Sequence, residues 1–184
     1  MPTDPLGQAL LLIARQAIAS HLGHAAAPAE LPPLPELAQP GASFVTLTQE
    51  GMLRGCIGSL QAHRPLAEDV AANARAAAFH DPRFPPLTHE ELPITRVEVS
   101  LLAPAQEFAV ADEADARARL RPGIDGLILS YGAHRATFLP QVWESLPEPR
   151  DFLEHLKQKA GLPRDFWSAQ LQLERYTVRK WKEA

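Results

Sequence analysis

The sequence is poor in cysteine: Cys56 is the only one among 184 residues. One cysteine permits no disulfide within the chain, which fits the reducing cytoplasm better than a secreted scaffold. It also falls short of a structural zinc site, which takes four ligands and most often several cysteines. Among the histidines, His21 and His24 are helically spaced but stand at a frayed helix end, and His89, His134 and His155 show no ligand spacing. We therefore predict that the chain holds no metal.

Long apolar runs and a basic N-terminus are missing as well. Residues 9–13 are apolar, but Arg15 ends this run far short of the roughly 20 residues that cross a bilayer. Residues 1–4 lack the basic start of a signal peptide. We therefore expect a cytoplasmic protein that has no membrane segment.

The sequence has fewer basic than acidic residues, with 18 lysines and arginines and 22 aspartates and glutamates. The net charge of -4 and the pI near 6.0 disfavour a nucleic-acid partner, although they leave room for a local basic patch. The motifs of common cofactor sites, Gly-x-Gly-x-x-Gly, the P-loop and Gly-x-Ser-x-Gly, are absent. We predict no bound cofactor.

The chain is organised around Leu-Arg-Gly-Cys-Ile-Gly-Ser at residues 53–59. Residues 44–48 before it are typical of a strand, and residues 50–51 predict the turn between two strands. Gly55 and Gly58 are poor strand formers, so they predict a bulge or the close approach of another backbone or a ligand.

Cysteine chemistry is the first function that this motif suggests. Because a strand has a period of two, Arg54 and Cys56 are expected on one face, two residues apart. A nearby guanidinium favours the thiolate, which is the nucleophilic form. A base is also needed, and we name His63 and His80, since both lie in or beside loops flanking the next helix. The alternatives are that Cys56 is an unreactive packing residue and that both histidines are solvated surface residues.

The loop after the motif, residues 59–64, joins the Cys56 strand to a second helix that begins at Pro65. Backbone N–H groups at such a junction can hold an anion. More often they are capped or solvated. We count Ser59 among the candidate ligand-binding residues.

A stiff proline-rich loop, His-Asp-Pro-Arg-Phe-Pro-Pro-Leu, follows at residues 80–87. Arg83 can bind a carboxylate or phosphate through its fork of donors, or equally form a salt bridge with Asp81 or Glu98. Asp81 either belongs to the site or only holds its turn. Glu98 either lines the site or faces solvent. Our hypothesis is that Arg83 and Cys56 border one cleft, where Arg83 orients an anionic ligand.

The rest of the chain divides into three segments by composition. Residues 1–23 predict a helix that begins after Asp4 and packs on the domain. Residues 24–41 are rich in proline and alanine and predict a linker across the surface. Residues 42–184 predict the core of the domain.

Helices and hairpins alternate irregularly through that core. This order predicts an α+β fold, with a largely antiparallel sheet and flanking helices. A single last strand is predicted over residues 171–181, with a bulge near residues 174–175 where its apolar pattern changes phase.

Together these segments resemble the AMMECR-type domain family, named for a chromosomal region lost in a human syndrome. The resemblance runs in the same order from about residue 44 to the end and rests on the motif at residues 53–59 and on six further segments. Those segments lie at residues 81–87, 90–92, 97–102, 123–126, 136–140 and 174–176.

The resemblance implies an α+β fold with a larger and a smaller lobe. In prokaryotes it also implies two partners, a Memo-like protein akin to extradiol dioxygenases and a radical-SAM protein. It implies no particular reaction or substrate.

Two functions are consistent with these observations. The first is an enzyme, with Cys56-dependent activity, or a small-molecule-binding protein that acts with those two partners. The second is a non-catalytic module that docks the partners through the same motif. A polar cleft at Cys56 would favour the first, and a flat apolar patch beside it the second. The candidate ligand contacts are Arg54, Gly55, Gly58, Ser59, Asp81, Arg83 and Glu98.

Overall fold

A computed structural model of the chain describes residues 4–24 and 31–184. The chain divides into two compact units. The first runs up to Leu102 and includes Arg179–Ala184, and the second is Ala103–Val178. Each unit has its own apolar core. The α+β fold is confirmed, but it contains two four-stranded antiparallel sheets where the sequence suggested one.

The described residues form four α-helices, three 3-10 helices and eight strands. In chain order the α-helices and strands are α1 Pro5–His21, β1 Ala42–Gln49, β2 Met52–Gly58, α2 Leu66–Phe79, β3 Thr95–Leu102, β4 Gln106–Glu107, α3 Glu113–Arg119, β5 Gly126–Tyr131, β6 His134–Phe138, α4 Pro149–Lys159, β7 Gln172–Tyr176 and β8 Val178–Lys182. The 3-10 helices are Pro35–Ala38, Leu92–Ile94 and Pro140–Glu144. No helix in this part of the chain is long and apolar enough to cross a membrane.

The first helix begins where the sequence predicts. The side chain of Asp4 accepts the backbone N–H of Leu6 at 3.1 Å, and Pro5 occupies the first turn, where its missing donor is harmless. Leu10 and Ile18 are fully buried on the face that α1 turns to the core of the first unit.

The first sheet has the strand order β2-β1-β3-β8. One of its faces is covered by α1 and α2, and Val45, Leu47, Val97 and Val99 point into that core with no exposed surface. Side chains that alternate with these residues point to the other face. We call it the outer face, and it carries Thr46, Cys56, Glu98 and Lys180.

The predicted strand–turn–strand at the motif is confirmed. β1 and β2 pair antiparallel, and Glu50 and Gly51 both adopt positive φ, +50° and +81°. Two successive left-handed residues are the geometry of a type I′ hairpin turn, which matches the twist of the strands. The register shifts between Leu47 and Thr48, so Arg54 is the extra residue of a β-bulge.

The predicted single last strand is wrong. The chain forms β7 in the second sheet, leaves regular structure at Thr177 and continues as β8 in the first sheet. The change of phase in the sequence therefore marks a passage from one core to another, so no bulge is needed at residues 174–175.

Part of the predicted surface linker over residues 24–41 is regular structure. Residues 25–30 lie outside the described part. After them, Pro35–Ala38 is a 3-10 helix, and Leu37 is 8% exposed and packs into the first core. The end of this segment is therefore anchored by burial of an apolar side chain.

The second unit packs α3 and α4 with a sheet of order β4-β7-β5-β6. Trp143 stacks on Phe152 in its core, with ring centroids 3.8 Å apart. Lys157 is completely buried, and its Nζ lies 3.0 Å from a carboxylate oxygen of Glu113. A buried ammonium needs such a partner, so this pair links α4 to α3.

Candidate functional site

Cys56 lies on β2, an edge strand, and is half-buried on the outer face. Its cross-strand neighbour is Thr46, whose Oγ1 is 3.3 Å from the Cys56 Sγ, and either atom can be the donor. Glu98 of β3 stands opposite Thr46. A thiol, a hydroxyl and a carboxylate therefore form a row across three strands.

The free edge of β2 is closed at Cys56 by the loop that follows α2. Asp81 is 4% exposed, and its Oδ2 accepts the backbone N–H of Cys56 at 2.9 Å. Arg83 donates from Nη2 to the Cys56 carbonyl at 3.3 Å. These two side chains bond to Cys56 as a neighbouring strand would, so both backbone groups are satisfied.

Arg83 and Asp81 form a bidentate ion pair. Nε and Nη2 of Arg83 donate to the two oxygens of Asp81 at 3.0 and 2.7 Å. The hydrogen bonds from Arg83 hold the pKa of Asp81 well below its ordinary value of 3.8. The side chain of Arg83 is nevertheless 55% exposed, and its Nη1 makes no hydrogen bond within the described residues. The pair itself carries little net charge, but it fixes an exposed guanidinium beside Cys56, with Nη1 as its available donor.

Arg54 has a different environment. It is 8% exposed, and its Nε and Nη2 donate to the two oxygens of Glu91 at 2.8 and 3.0 Å. The Arg54 hydrogen bonds lower the pKa of Glu91 from 4.5 to about 2. Because the period of two breaks at the bulge, the guanidinium that contacts Cys56 is that of Arg83.

The ring of Phe84 lies near both guanidinium groups. The Cζ atoms of Arg54 and Arg83 are 5.8 and 5.6 Å from the ring centroid. Both distances are within the roughly 6 Å of a cation–π contact. The loop is therefore held in place by both arginines.

Gly55 and Gly58 are explained by close packing. A Cβ atom on Gly55 would overlap the carbonyl group of Ala77 in α2. One on Gly58 would overlap the ring of Phe44. The bulge and the close approach of another backbone, both predicted from these glycines, are present, and the glycines here serve packing.

Ser59 belongs to a buried polar network at the other end of β2. Its Oγ donates to Asp69 at 2.7 Å. Asp69 has no exposed surface and also accepts from Ser43, Arg64 and Asn73. Ser59 therefore fastens β2 to α2. A carboxylate of the protein stands where the sequence suggested an anion, and its negative charge disfavours a second one.

The two candidate bases lie apart from this chemistry. His63 is exposed, and its Nδ1 is 3.0 Å from the Gln61 carbonyl. His80 is exposed and ends α2. Within the described ranges, the Sγ of Cys56 has a hydrogen-bonding contact with Thr46 and with no histidine.

Three residues of this site escaped the sequence reasoning, namely Thr46, Phe84 and Glu91. The only local signal was at Glu91, which follows Thr88 at the spacing of a capping box. Its Oε2 does accept the Thr88 N–H at 2.9 Å. Thr46 and Phe84 carry no signal of their own, because their roles depend on neighbours that are distant in sequence.

Known proteins match this sequence over nearly the whole chain. A model of the AMMECR1 family matches residues 11–181. A protein of Methanothermobacter thermautotrophicus is 38% identical over 186 residues, which cover 96% of this chain and 94% of the relative. A protein of Methanopyrus kandleri is 36% identical over 169 residues, covering 88% of this chain and 80% of the relative.

A solved structure is similar as well. The crystal structure of an uncharacterized protein from Pyrococcus horikoshii matches with a TM-score of 0.82 at 33% sequence identity. The match covers 98% of this chain and 93% of the other.

Proposed function

Since this chain belongs to the AMMECR1 family, whose match spans both Cys56 and Arg83, we propose that it binds a small anionic molecule at these two residues. The observation that carries the proposal is the double role of Asp81. Its carboxylate binds the guanidinium of Arg83 and the backbone N–H of Cys56 together. The charge and the thiol are therefore held in one fixed arrangement.

The chemistry of Arg83 selects the ligand class. A guanidinium with exposed donors binds carboxylate and phosphate groups better than neutral molecules. Here the guanidinium is already oriented by Asp81, and Pro85 and Pro86 stiffen its loop. Little conformational entropy is then lost when an anion binds, which strengthens the interaction.

Binding has more support than nucleophilic catalysis. A cysteine nucleophile needs a base within hydrogen-bonding reach. In the described part of the chain the partner of the Cys56 thiol is the Thr46 hydroxyl, which is not a base at neutral pH. We therefore assign the thiol to ligand contact, and an enzymatic reaction here would need a base from the ligand or from a partner protein.

We also propose that the protein acts with the Memo-like and radical-SAM proteins that the family resemblance implies. The alternative, a docking module, would show a flat apolar patch beside the motif. The exposed apolar residues Met52 and Leu53 stand at one end of β2, and Leu60 follows its other end. Ile94, which is also exposed, precedes β3 at the Met52 end of the sheet. The apolar residues therefore lie at the two ends of β2, roughly 20 Å apart at about 3.3 Å per residue, and not beside Cys56.

Untargeted metabolite capture tests the binding proposal. The wild-type protein, Arg83→Lys and Arg179→Lys are each loaded from the same cell extract, and the retained small molecules are identified by mass spectrometry. Arg179 binds Asp4 rather than the motif, so its variant is a matched control. We expect an anionic molecule on the wild type and the control, lost from Arg83→Lys. Equal profiles for all three proteins would refute the proposal.

A further inference from the structure

Three cations of the first unit share the outer face of its sheet. Arg96 alternates with the buried Val97 in β3. Lys180 and Lys182 flank Trp181 in β8, and the indole of Trp181 packs against the first turn of α1. Residues that alternate with inward-facing ones point outward. All three cations are exposed.

One carboxylate stands among these cations. Glu98 is 26% exposed at its side chain, and its Oε1 is 4.0 Å from the Nζ of Lys180. Arg83 adds a further exposed cation at the β2 edge, while its partner Asp81 lies buried with a side chain 2% exposed. The four cations outnumber the two carboxylates, so the charge of this face is positive, although the chain as a whole carries -4.

We infer that the outer face binds a small ligand with at least two anionic groups, one at Arg83 and one among Arg96, Lys180 and Lys182. This inference rests on the proposed function and names its ligand class more closely. β2 and β8 are three strand spacings apart, about 14 Å. Lys180 reaches inward from β8, because its Nζ lies 4.0 Å from Glu98 of β3, so a ligand shorter than the distance between β2 and β8 can bridge the two regions.

The residues between the two cationic regions suit such a ligand. Cys56 and Thr46 place a thiol and a hydroxyl across the middle of the face. Both are half-buried and can hydrogen-bond to the part of the ligand that joins its anionic groups. Lys180 lies near this row, with its Nζ 4.0 Å from Glu98, which brings a cation within reach of the second anionic group.

A small polyanion fits this face better than a nucleic acid does. Proteins that bind nucleic acid typically make about 6–10 phosphate contacts, more than the cations on this face supply. The negative net charge of the remaining surface also repels a long polyanion. The positive charge is sufficient for a compact ligand and is confined to one face.

Calorimetric titration with four probes tests the inference. Inorganic phosphate, pyrophosphate, tripolyphosphate and a single-stranded oligonucleotide are titrated at constant ionic strength into the wild type, Arg83→Lys, Lys180→Gln and Arg179→Gln. Arg179 is the matched control, because it is a neighbour of Lys180 in β8 but pairs with Asp4 on the helix side of the sheet. Lys180→Gln and Arg179→Gln remove the same charge from opposite faces.

We expect tripolyphosphate to bind the wild type about tenfold more tightly than phosphate, if each outer-face cation contributes as an exposed ion pair does. Lys180→Gln should weaken tripolyphosphate about threefold and leave phosphate unchanged. Arg83→Lys should weaken both probes, and Arg179→Gln neither.

Four results would overturn the inference. Equal affinity for phosphate and tripolyphosphate, with phosphate still dependent on Arg83, would leave the proposed function standing and remove the second anionic site. Equal losses in Lys180→Gln and Arg179→Gln would show only diffuse charge attraction. Tighter binding of a single-stranded oligonucleotide through the same residues would make the partner a nucleic acid. If no probe bound, the proposed function would fail as well.

Discussion

Arg54 and Arg83 both lie near the ring of Phe84 and make nearly the same contacts. Each forms a bidentate pair with one carboxylate, Glu91 or Asp81, and each donates from Nη2 to a backbone carbonyl. They differ in exposure, since 10% of the Arg54 side chain is exposed against 55% for Arg83. Their Nη1 groups differ accordingly, because that of Arg54 is buried without a hydrogen-bonding partner in the described residues.

The two arginines form similar hydrogen bonds. Their different exposure therefore distinguishes the structural residue, Arg54, from the candidate ligand-binding residue, Arg83. With 10% of its side chain exposed, Arg54 offers little surface to a ligand and holds the loop against the sheet. An exposed guanidinium locked by a buried carboxylate is both fixed and available. The sequence motif contains the first arginine, whereas the second one carries the candidate site.

The largest expected effect is on stability, from Arg54→Ala. It leaves the Glu91 carboxylate without its main partner in a mostly buried position. Breaking such a pair should lower the free energy of unfolding by about 3 kcal/mol. Denaturant unfolding measures this as a shift in midpoint. For Arg83→Ala, whose guanidinium is more than half exposed, we expect a loss of about 1 kcal/mol. Similar losses for both variants would break the comparison.

The second-largest expected effect is the loss of stability at low pH that depends on Glu91. Its folded pKa of about 2 lies below its ordinary value of 4.5, so its ionised form stabilises the fold above about pH 4.5. That contribution is lost as pH falls from 4.5 towards 2. The stability difference between wild type and Glu91→Gln should therefore shrink over this range. The exposed Glu36→Gln serves as control, and an unchanged Glu91→Gln difference at pH 2 would contradict the assignment.

Local sequence patterns predict the secondary-structure elements around the site, but they do not predict which residues contact one another there. The cap at Asp4 and the turn at residues 50–51 follow from residues that are neighbours in the chain. Without a bulge, that two-residue turn would pair Cys56 with Val45, because residue 49 pairs with 52 and each step adds one residue per strand. The bulge at Arg54 shifts the pairing to Thr46.

The ion pairs could not be predicted for a related reason. Arg54 binds a carboxylate 37 residues away. The backbone of Cys56 binds one 25 residues away. The alternative that Arg83 forms a salt bridge with Asp81 was foreseen, since the two are adjacent in one turn. The sequence does not predict that this turn lies against the edge of β2.

Arg83→Lys should separate binding from folding. Lysine keeps the charge but cannot bond to both oxygens of Asp81 and still offer a fixed donor to a ligand, so anion affinity should fall about tenfold. The free energy of unfolding should fall by less than about 1 kcal/mol, because most of the side chain is exposed. Calorimetric titration with phosphate and denaturant unfolding report the two quantities. A large loss of stability with unchanged affinity would make Arg83 a second scaffold residue like Arg54.

Cys56→Ser should have the smallest effect on stability. The thiol is half-buried and already contacts the Thr46 hydroxyl, so a serine hydroxyl would find the same partner. We expect a change within about 0.5 kcal/mol, whereas burying an unpaired hydroxyl would cost about 1–3 kcal/mol. Thermal unfolding measures the difference. A large drop in the stability of Cys56→Ser would show that Cys56 is a core-packing residue.

The central claim, that Arg83 presents an anion site beside Cys56, is tested most directly by alkylation of the thiol. Because the chain has a single cysteine, the mass of the intact protein after iodoacetamide treatment reports on that residue alone. At constant ionic strength, phosphate should slow alkylation of the wild type and of Arg179→Lys, but not of Arg83→Lys. A wild-type rate that phosphate leaves unchanged, or equal slowing in Arg83→Lys, would contradict the account.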